Sequence, residues 1–226
     1  MLTNLNLDLE KPAIIEETQR EWIDSSSPGV DRQLLEREDP ESGRATTIVR
    51  FAPGSEFPSH VHPAGEEFFV LDGVFSDESG HFSAGTYVRN PVGSRHRPYS
   101  TNGATIFVKL GQMDGLDQDY VRVGTATEAW VPGMVHGLSV MPLHQYGAEN
   151  VALVNWQPGT KFVEHSHPGG EEILVLEGIF EDDHGSYPKG TWLRNPPGSV
   201  HAPYSSKGCT IFVKTGHLHN TRSNGA

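Results

Sequence analysis

Residues 54–73 read GSEFPSHVHPAGEEFFVLDG, and 105 positions later residues 159–178 read GTKFVEHSHPGGEEILVLEG. The match extends without a gap from 49–111 onto 154–216, with 34 of those 63 positions identical. A repeat of this length predicts two copies of one structural unit.

The repeat divides the chain into five segments. We predict an N-terminal arm at 1–20, a first unit at 21–113, a linker at 114–128, a second unit at 129–218 and a tail at 219–226. Two units of about 100 residues each are of ordinary domain size.

Each unit has the pattern of short β-strands. In the first unit, TTIVRF, EFFVLDGVF, TYVRN and ATIFVKL are rich in β-branched and aromatic residues and are bounded by Gly, Pro, Asn and Ser. The chain contains 25 Gly and 16 Pro, which favour frequent turns over long helices. The predicted fold class is all-β, with each unit a barrel or jelly roll.

Composition excludes several classes of function. A net charge of −12 repels phosphate backbones, so we expect no nucleic-acid partner. No apolar run approaches the roughly 18 residues of a membrane helix, and the first residues do not resemble a signal peptide. Cys209 is the one cysteine, so no intrachain disulfide can form, and we expect it to be a small buried residue. These features predict a cytoplasmic protein without membrane association.

The histidines form a pattern that is typical of a metal site. His60 and His62 alternate on a strand, so their side chains share one face about 7 Å apart. A tight turn then returns Glu66 beside them, and His96 follows the turn NPVGS as a fourth ligand. The same residue types recur at the same offsets in the second unit, as His165, His167, Glu171 and His201.

A single HxH pair in a sequence is more often incidental than a pair of metal ligands. Here all four candidate ligands are the same in both repeats, although neighbouring residues have diverged. Three imidazoles and one carboxylate suit a divalent transition metal, such as Zn, Fe, Mn or Ni, and are too rich in nitrogen for Ca or Mg. We therefore predict two metal sites per chain. An ion that prefers five or six ligands would keep open positions, whereas tetrahedral Zn would be closed and would favour a structural or sensing role.

Other repeated residues have two interpretations each. Glu67 and Glu172 could compete as ligands, although strand alternation points them away from Glu66 and Glu171. Lys109 ends a predicted strand, as does Lys214 in the second unit, and exposed strand ends are expected there.

Two further pairs are candidates for substrate or ligand contacts. Arg89 and Arg194 could anchor an anionic substrate near the metal, or form structural ion pairs. Tyr99 and Tyr204 lie three residues past the last histidine, where they could donate a hydrogen bond to a metal ligand or simply pack.

These segments resemble the two cupin motifs. The first is G-x5-H-x-H-x3,4-E-x6-G, and the second, G-x5-P-x-G-x2-H-x3-N, corresponds to Gly85–Ser100 and Gly190–Ser205, with Ser in place of the final Asn. The resemblance implies a bicupin, with two tandem jelly-roll β-barrels that each hold a metal. More narrowly, the HxHxxGEExxVLxGxFxDxxG stretch, the RNPxGSxHxPYS stretch and TIFVK resemble the ChrR-like cupin family.

That family contains the zinc-binding cupin half of the anti-sigma factor ChrR and iron-dependent dioxygenases that cleave small ketones. The resemblance implies a metal-dependent sensor or regulatory protein, here without the sigma-binding N-terminal zinc domain and its H-x3-C-x2-C signature. The alternative is an Fe-dependent dioxygenase that cleaves a small diketone or aryl hydroxyketone, and a Lewis-acid isomerase or lyase is a third class. The sequence leaves enzyme and sensor open, with a small molecule or a regulatory protein as partner and a monomer or homodimer as assembly.

Overall fold

A computed structural model of the protein describes residues 4–39 and 42–218. The tail predicted at 219–226 lies outside these residues. The described chain consists of antiparallel strands and one short 3-10 helix, Glu17–Gln19, which confirms the all-β class. No helix in 4–39 or 42–218 has the length and apolarity to cross a membrane.

The chain forms two compact units, and each draws on two parts of the sequence. The first contains Arg20–Glu128 with the described residues up to Leu7, and the second contains Asp8–Gln19 with the chain from Ala129 onward. The first strand in the chain, β1 (Ala13–Ile15), therefore belongs to the second unit. It lies within the segment predicted as an arm.

The first unit contains twelve strands within its described residues. They are β2 (Ile23–Asp24), β3 (Val30–Arg37), β4 (Ala45–Phe51), β5 (Ser55–Glu56), β6 (His60–Val61), β7 (Glu66–Asp77), β8 (Gly80–Ser83), β9 (Thr86–Asn90), β10 (Arg95–His96), β11 (Tyr99–Ser100), β12 (Ala104–Leu110) and β13 (Val121–Gly124). The main sheet has the order β13-β9-β7-β12-β4-β3-β2, and β6 and β10 form a separate two-stranded pair. The last of these strands, β13, lies in the segment predicted as a linker.

The second unit repeats this topology. After β1 its strands are β14 (Val131–Pro132), β15 (Leu138–Tyr146), β16 (Glu149–Trp156), β17 (Thr160–Lys161), β18 (His165–His167), β19 (Glu171–Glu181), β20 (Ser186–Pro188), β21 (Trp192–Asn195), β22 (Ser199–His201), β23 (Tyr204–Ser205) and β24 (Cys209–Thr215). Its main sheet has the order β1-β21-β19-β24-β16-β15-β14, with β18 and β22 as the separate pair. In this sheet β1 takes the place that β13 takes in the first unit.

Successive side chains on a strand point to opposite faces of the sheet, and on β7 residues of both faces are buried. On β7, Phe68 and Val70 belong to the apolar core with Phe75, and the core is closed by Val88 and Ile106 from neighbouring strands. Because side chains alternate, Glu66 shares this inner face, and Glu67 lies on the outer face. Cys209 belongs to the equivalent core of the second unit, as expected for a small buried residue.

Gly73 lets β7 pass close to the backbone that precedes β12. The pairing of the two strands shifts by one residue at Leu71, two positions before Gly73, and Gly73 has a left-handed φ of 71°. A Cβ built on Gly73 would lie 2.1 Å from the carbonyl oxygen of Gly103. The second unit repeats the arrangement at Gly178, where the distance is 2.0 Å.

We expect Gly73→Ala to lower the free energy of unfolding by roughly 3 kcal/mol, because it combines left-handed strain with a backbone clash. Gly54→Ala is the matched control, since Gly54 has φ +75° but no neighbouring atom lies within 4 Å of a Cβ added there. Its cost should be about 1 kcal/mol, from strain alone. Urea unfolding of both variants measures the difference, and equal losses would contradict the assigned clash.

Candidate metal centre

The strand pair β6–β10 brings the three histidines of the first unit together. His60 and His96 are directly opposite each other in this pair, and the backbone N–H of His62 donates to the carbonyl of Ser94 at 2.9 Å. The three imidazole rings form a nearly equilateral triangle, with centroid separations of 4.7, 4.9 and 5.0 Å. The equivalent triad in the second unit is His165, His167 and His201.

The distances within each triad fit a shared metal ion. His62 Nε2 lies 3.0 Å from His96 Nε2, and the corresponding distance between His167 and His201 is 3.1 Å. Two nitrogens about 2.1 Å from one ion and about 90° apart would be separated by about 3.0 Å, whereas a tetrahedral angle would separate them by about 3.4 Å. The spacing therefore suits neighbouring positions of a five- or six-coordinate ion.

Hydrogen bonds fix which ring nitrogen faces the centre. His60 Nδ1 contacts the Pro58 carbonyl at 2.7 Å, and His96 Nδ1 contacts Asp77 Oδ2 at 3.0 Å. An oxygen partner can only accept, so Nδ1 carries the proton and Nε2 faces the centre. The second unit has the same bonds from His165 to Val163 and from His201 to Asp182, at 3.0 and 3.1 Å.

Each triad has a buried carboxylate beside it. Glu66 Oε2 lies 3.6 Å from Nε2 of both His62 and His96, and Asn90 Nδ2 donates to the same oxygen at 2.9 Å. Glu66 is 5% exposed. In the second unit Glu171 lies 3.5 Å from His167 and 3.6 Å from His201, and Asn195 donates to it at 3.0 Å.

Burial and charge separate the pKa values of the histidines. Burial lowers the pKa of His62. Burial also acts to lower the pKa of His96, but the Glu66 carboxylate and the hydrogen bond that His96 donates to Asp77 outweigh it and raise that pKa. Without metal, His96 Nε2–H can therefore donate to the lone pair of His62 Nε2. A proton then lies between the two Nε2 atoms, at the position where a metal ion would bind.

The second triad shows the same separation. Burial, followed by the charges of His165 and His201, lowers the pKa of His167 to about 4. Burial acts against protonation of His201 as well, but its bond to Asp182 and the Glu171 carboxylate raise its pKa. The carboxylates differ, because burial raises the pKa of Glu171, whereas at Glu66 the charges of His62 and His96 outweigh burial and lower it.

The outer sheet face holds a charged ladder. Glu67, Arg89 and Lys109 lie directly opposite one another on three adjacent strands. Arg89 donates to Glu67 at 2.9 Å and to Asp117 at 2.6 Å. The arginine is thus in a structural ion-pair network and not beside the triad. The predicted exposure of Lys109 is wrong, because both sheet faces are covered and its side chain is 2% exposed.

The second unit carries the equivalent ladder of Glu172, Arg194 and Lys214. The Trp192 indole N–H donates to Glu172 at 2.7 Å, and Lys214 forms an ion pair with Glu149 at 3.1 Å. Lys214 is completely buried, so its predicted exposure is also wrong. Arg194 lies on this outer face and not with the histidines.

Each tyrosine lies on the short strand that follows the last triad histidine of its unit. Tyr99 is on β11 opposite Ser76 and Glu56, and its ring centroid is 6.4 Å from that of His81. Tyr204 is on β23 opposite Lys161. The structure therefore gives neither a hydrogen bond to a triad histidine.

The sequence analysis did not identify the residues that hold the candidate ligands. Asp77 and Asp182 hold the last histidine of each triad, and Asn90 and Asn195 hold the glutamates. All four are identical between the two repeats, which was the available signal. Sequence spacing does not show which strands face each other, so it could not assign their partners.

We expect Asp77→Asn to weaken metal binding at the first site by about 10- to 100-fold. The substitution removes the carboxylate charge that orients the His96 ring and increases the basicity of its metal-binding nitrogen. Glu78→Gln is the matched control, since its carboxylate accepts from the backbone of Arg97 and not from a histidine. Competition against a coloured chelator measures both affinities. Equal effects of the two substitutions would indicate a general loss of negative charge.

Several solved structures have the same fold, and the similarity covers nearly the whole chain. A candidate dioxygenase from Nostoc punctiforme PCC 73102 has a TM-score of 0.76 and 19% identity, covering 92% of this chain and 84% of that one. A candidate glyoxylate-induced protein from Pseudomonas aeruginosa has a TM-score of 0.74 and 15% identity, covering 96% and 93%. YlbA from Escherichia coli has a TM-score of 0.71 and 15% identity, covering 94% of each chain. Identities this low show the fold alone.

No curated protein matches the chain in sequence. The ChrR cupin-like domain matches it twice, over residues 10–114 and 118–219. These matches confirm two tandem cupin domains, and each contains one complete histidine triad. The chain belongs to the ChrR cupin-like domain family.

Proposed function

We propose that each unit binds one divalent transition metal through three histidine Nε2 atoms and one glutamate oxygen. The observation that carries this proposal is the 3.0 and 3.1 Å spacing of Nε2 atoms in the two triads. The donor set fits Fe, Mn, Ni or Zn, because imidazole and carboxylate are the ligands that these ions share. The ligands would be His60, His62, Glu66 and His96, and His165, His167, Glu171 and His201.

The arrangement leaves room for an exchangeable ligand. Four protein donors do not fill a five- or six-coordinate shell. His60 and His165 are only partly buried, so each triad is accessible from solvent on one side. A bound metal would supply Lewis-acid or redox chemistry at this open side. The chain's own residues would orient the ligands and exclude water from the inner side.

For the role of the loaded protein we favour a metal-dependent sensor or regulatory module, and family membership supports this choice. Cys209 is buried, and burial raises its pKa to about 11. A thiol of this kind is a poor oxidant sensor, so a signal would have to arise at the metal. We propose a cytoplasmic protein, monomeric or homodimeric, whose partner is a small ligand or a regulatory protein.

A second candidate is an iron-dependent dioxygenase that cleaves a small diketone or aryl hydroxyketone. The observation that favours it is the accessible side of each triad, together with the structural likeness to a candidate dioxygenase. An oxygenase needs neighbouring open positions for an oxygen-donor substrate and O2, which the spacing of the donors allows.

Elemental mass spectrometry on untagged, anaerobically purified protein tests the proposal. Two metals per chain are expected, and a chain that binds none in the presence of excess Fe(II), Mn(II), Ni(II) and Zn(II) would refute it. The role is then decided with an oxygen electrode. Two irons with ketone-dependent O2 uptake would identify the dioxygenase, whereas tightly held zinc without turnover would support the regulatory role.

A further inference from the structure

An arginine reaches the ligand network of the first unit. Arg122 on β13 lies opposite Val88 on β9. Its Nη2 donates to Asn90 Oδ1 at 2.6 Å, and its Nη1 donates to the carbonyls of Arg89 and Val121, each at 2.8 Å. Nη2 also donates to Ser79 Oγ at 3.5 Å, so four acceptors hold the guanidinium in one place.

Asn90 transmits this restraint to Glu66. A carboxamide has one acceptor oxygen and one NH2 donor group. With the Arg122 guanidinium at Asn90 Oδ1, the NH2 must point the other way, toward Glu66 Oε2 at 2.9 Å. The same Oε2 is the oxygen nearest to both His62 and His96. Glu66 thus presents one oxygen to the metal position.

Among the described residues of the second unit, no arginine takes this position. Ile14 on β1 lies opposite Leu193, the residue that corresponds to Val88, and Ile14 is 49% exposed. Asn195 still donates to Glu171, but no described residue donates to its Oδ1. Asn195 is also partly exposed, whereas Asn90 is 4% exposed.

The carboxylate is oriented differently in the second unit, where no described arginine supports the asparagine. Glu171 presents Oε1 to His167 and Oε2 to His201, at 3.5 and 3.6 Å. Both of its oxygens therefore face the metal position, in contrast to Glu66. The ring centroids are 4.7, 4.9 and 5.0 Å apart in the first triad and 4.6, 4.9 and 5.1 Å apart in the second, so the triads are similarly spaced while the carboxylate and its support differ.

We propose that Arg122 is a positioning residue that makes the two metal sites inequivalent. Through Asn90 it fixes Glu66 as a ligand with one oxygen, and it gives the first site a higher affinity and a different ligand field from the second. Arg122 lies within the second family match but in the first structural unit, so the segment before the second repeat completes the site of the first. The inference rests on the proposed binding of metal by both triads.

The test isolates the first site in a chain that carries His165→Ala and His167→Ala. Mn(II) is titrated into this parent, and affinity and the Mn(II) electron paramagnetic resonance spectrum are recorded. Arg122→Ile, which installs the residue type of the second unit, should weaken binding about tenfold and change the zero-field splitting. Arg122→Lys should restore part of both, because an ammonium can still donate to Asn90.

Arg95→Ala is the matched control. Arg95 is exposed and lines the same cavity of about 90 Å³ beside His96 as Arg122, so this change removes an equal charge without touching Asn90. It should leave the spectrum of bound Mn(II) unchanged. An Arg122→Ile protein with unaltered affinity and spectrum would overturn the positioning role, as would an Arg95→Ala protein with the same changes as Arg122→Ile. A parent that binds no Mn(II), Fe(II), Ni(II) or Zn(II) would instead refute metal binding itself.

Discussion

A chain carrying His60→Ala and His62→Ala should bind one metal ion instead of two. Both substitutions remove proposed ligands from one triad, and Glu66 with His96 alone would not hold an ion against water. We expect the affinity of the first site to fall by on the order of 10³-fold or more, about 4 kcal/mol of binding free energy. The second triad should retain its ion, because His165, His167 and His201 all come from strands of the other unit.

The reciprocal pair His165→Ala and His167→Ala should empty the second site and leave the first. His136→Ala serves as the control, since this histidine is exposed and lies outside both triads. Elemental analysis after dialysis against a weak chelator gives the count for each variant. Loss of both ions from either double variant would show that the two sites depend on each other.

The fold was predictable because the decisive patterns are local. Alternation on one strand places His60 and His62 on one face, and the same rule places Glu66 on the inner face and Glu67 on the outer one. The repeat then supplied a second, independent copy of each pattern. The all-β class and the two-unit organisation follow from this information.

Contacts between distant strands were not predictable in the same way. Asp77 lies at the far end of β7 from Glu66, and only the curvature of the strand returns it to His96. Lys109 lies next to the end of β12, which suggested exposure, but no local pattern shows that the outer face of the sheet is covered. Likewise β1 and β13 join sheets that sequence order does not assign to them, so the place of Arg122 beside Asn90 could not be predicted.

Metal binding at the second site should weaken as the pH falls, and the pKa values set the range. With the first site removed, His201 is the histidine of this site whose pKa is raised, because burial is outweighed by its bond to Asp182 and by the Glu171 carboxylate, so it takes up a proton at higher pH than an ordinary histidine. A metal must displace that proton, and affinity should therefore fall about tenfold per pH unit below this point. Burial lowers the pKa of His165, and that of His167 is about 4, so these two histidines should add to the slope only at lower pH than His201. Burial raises the pKa of Glu171, so protonation of this carboxylate should add to the slope at higher pH than for a free glutamate.

Asp182→Asn provides the internal check on this assignment. It removes the charged acceptor that raises the pKa of His201, so proton competition should begin at lower pH, while binding at pH 8 weakens because the ring is less well oriented. Chelator competition from pH 5 to 8 gives both quantities, and proton release on mixing with metal in weak buffer should approach one per site near pH 6. A profile that is flat over this range would mean that His201 Nε2 carries no proton before the metal arrives. The His167 and His201 rings would then both be neutral, with no proton between their Nε2 atoms.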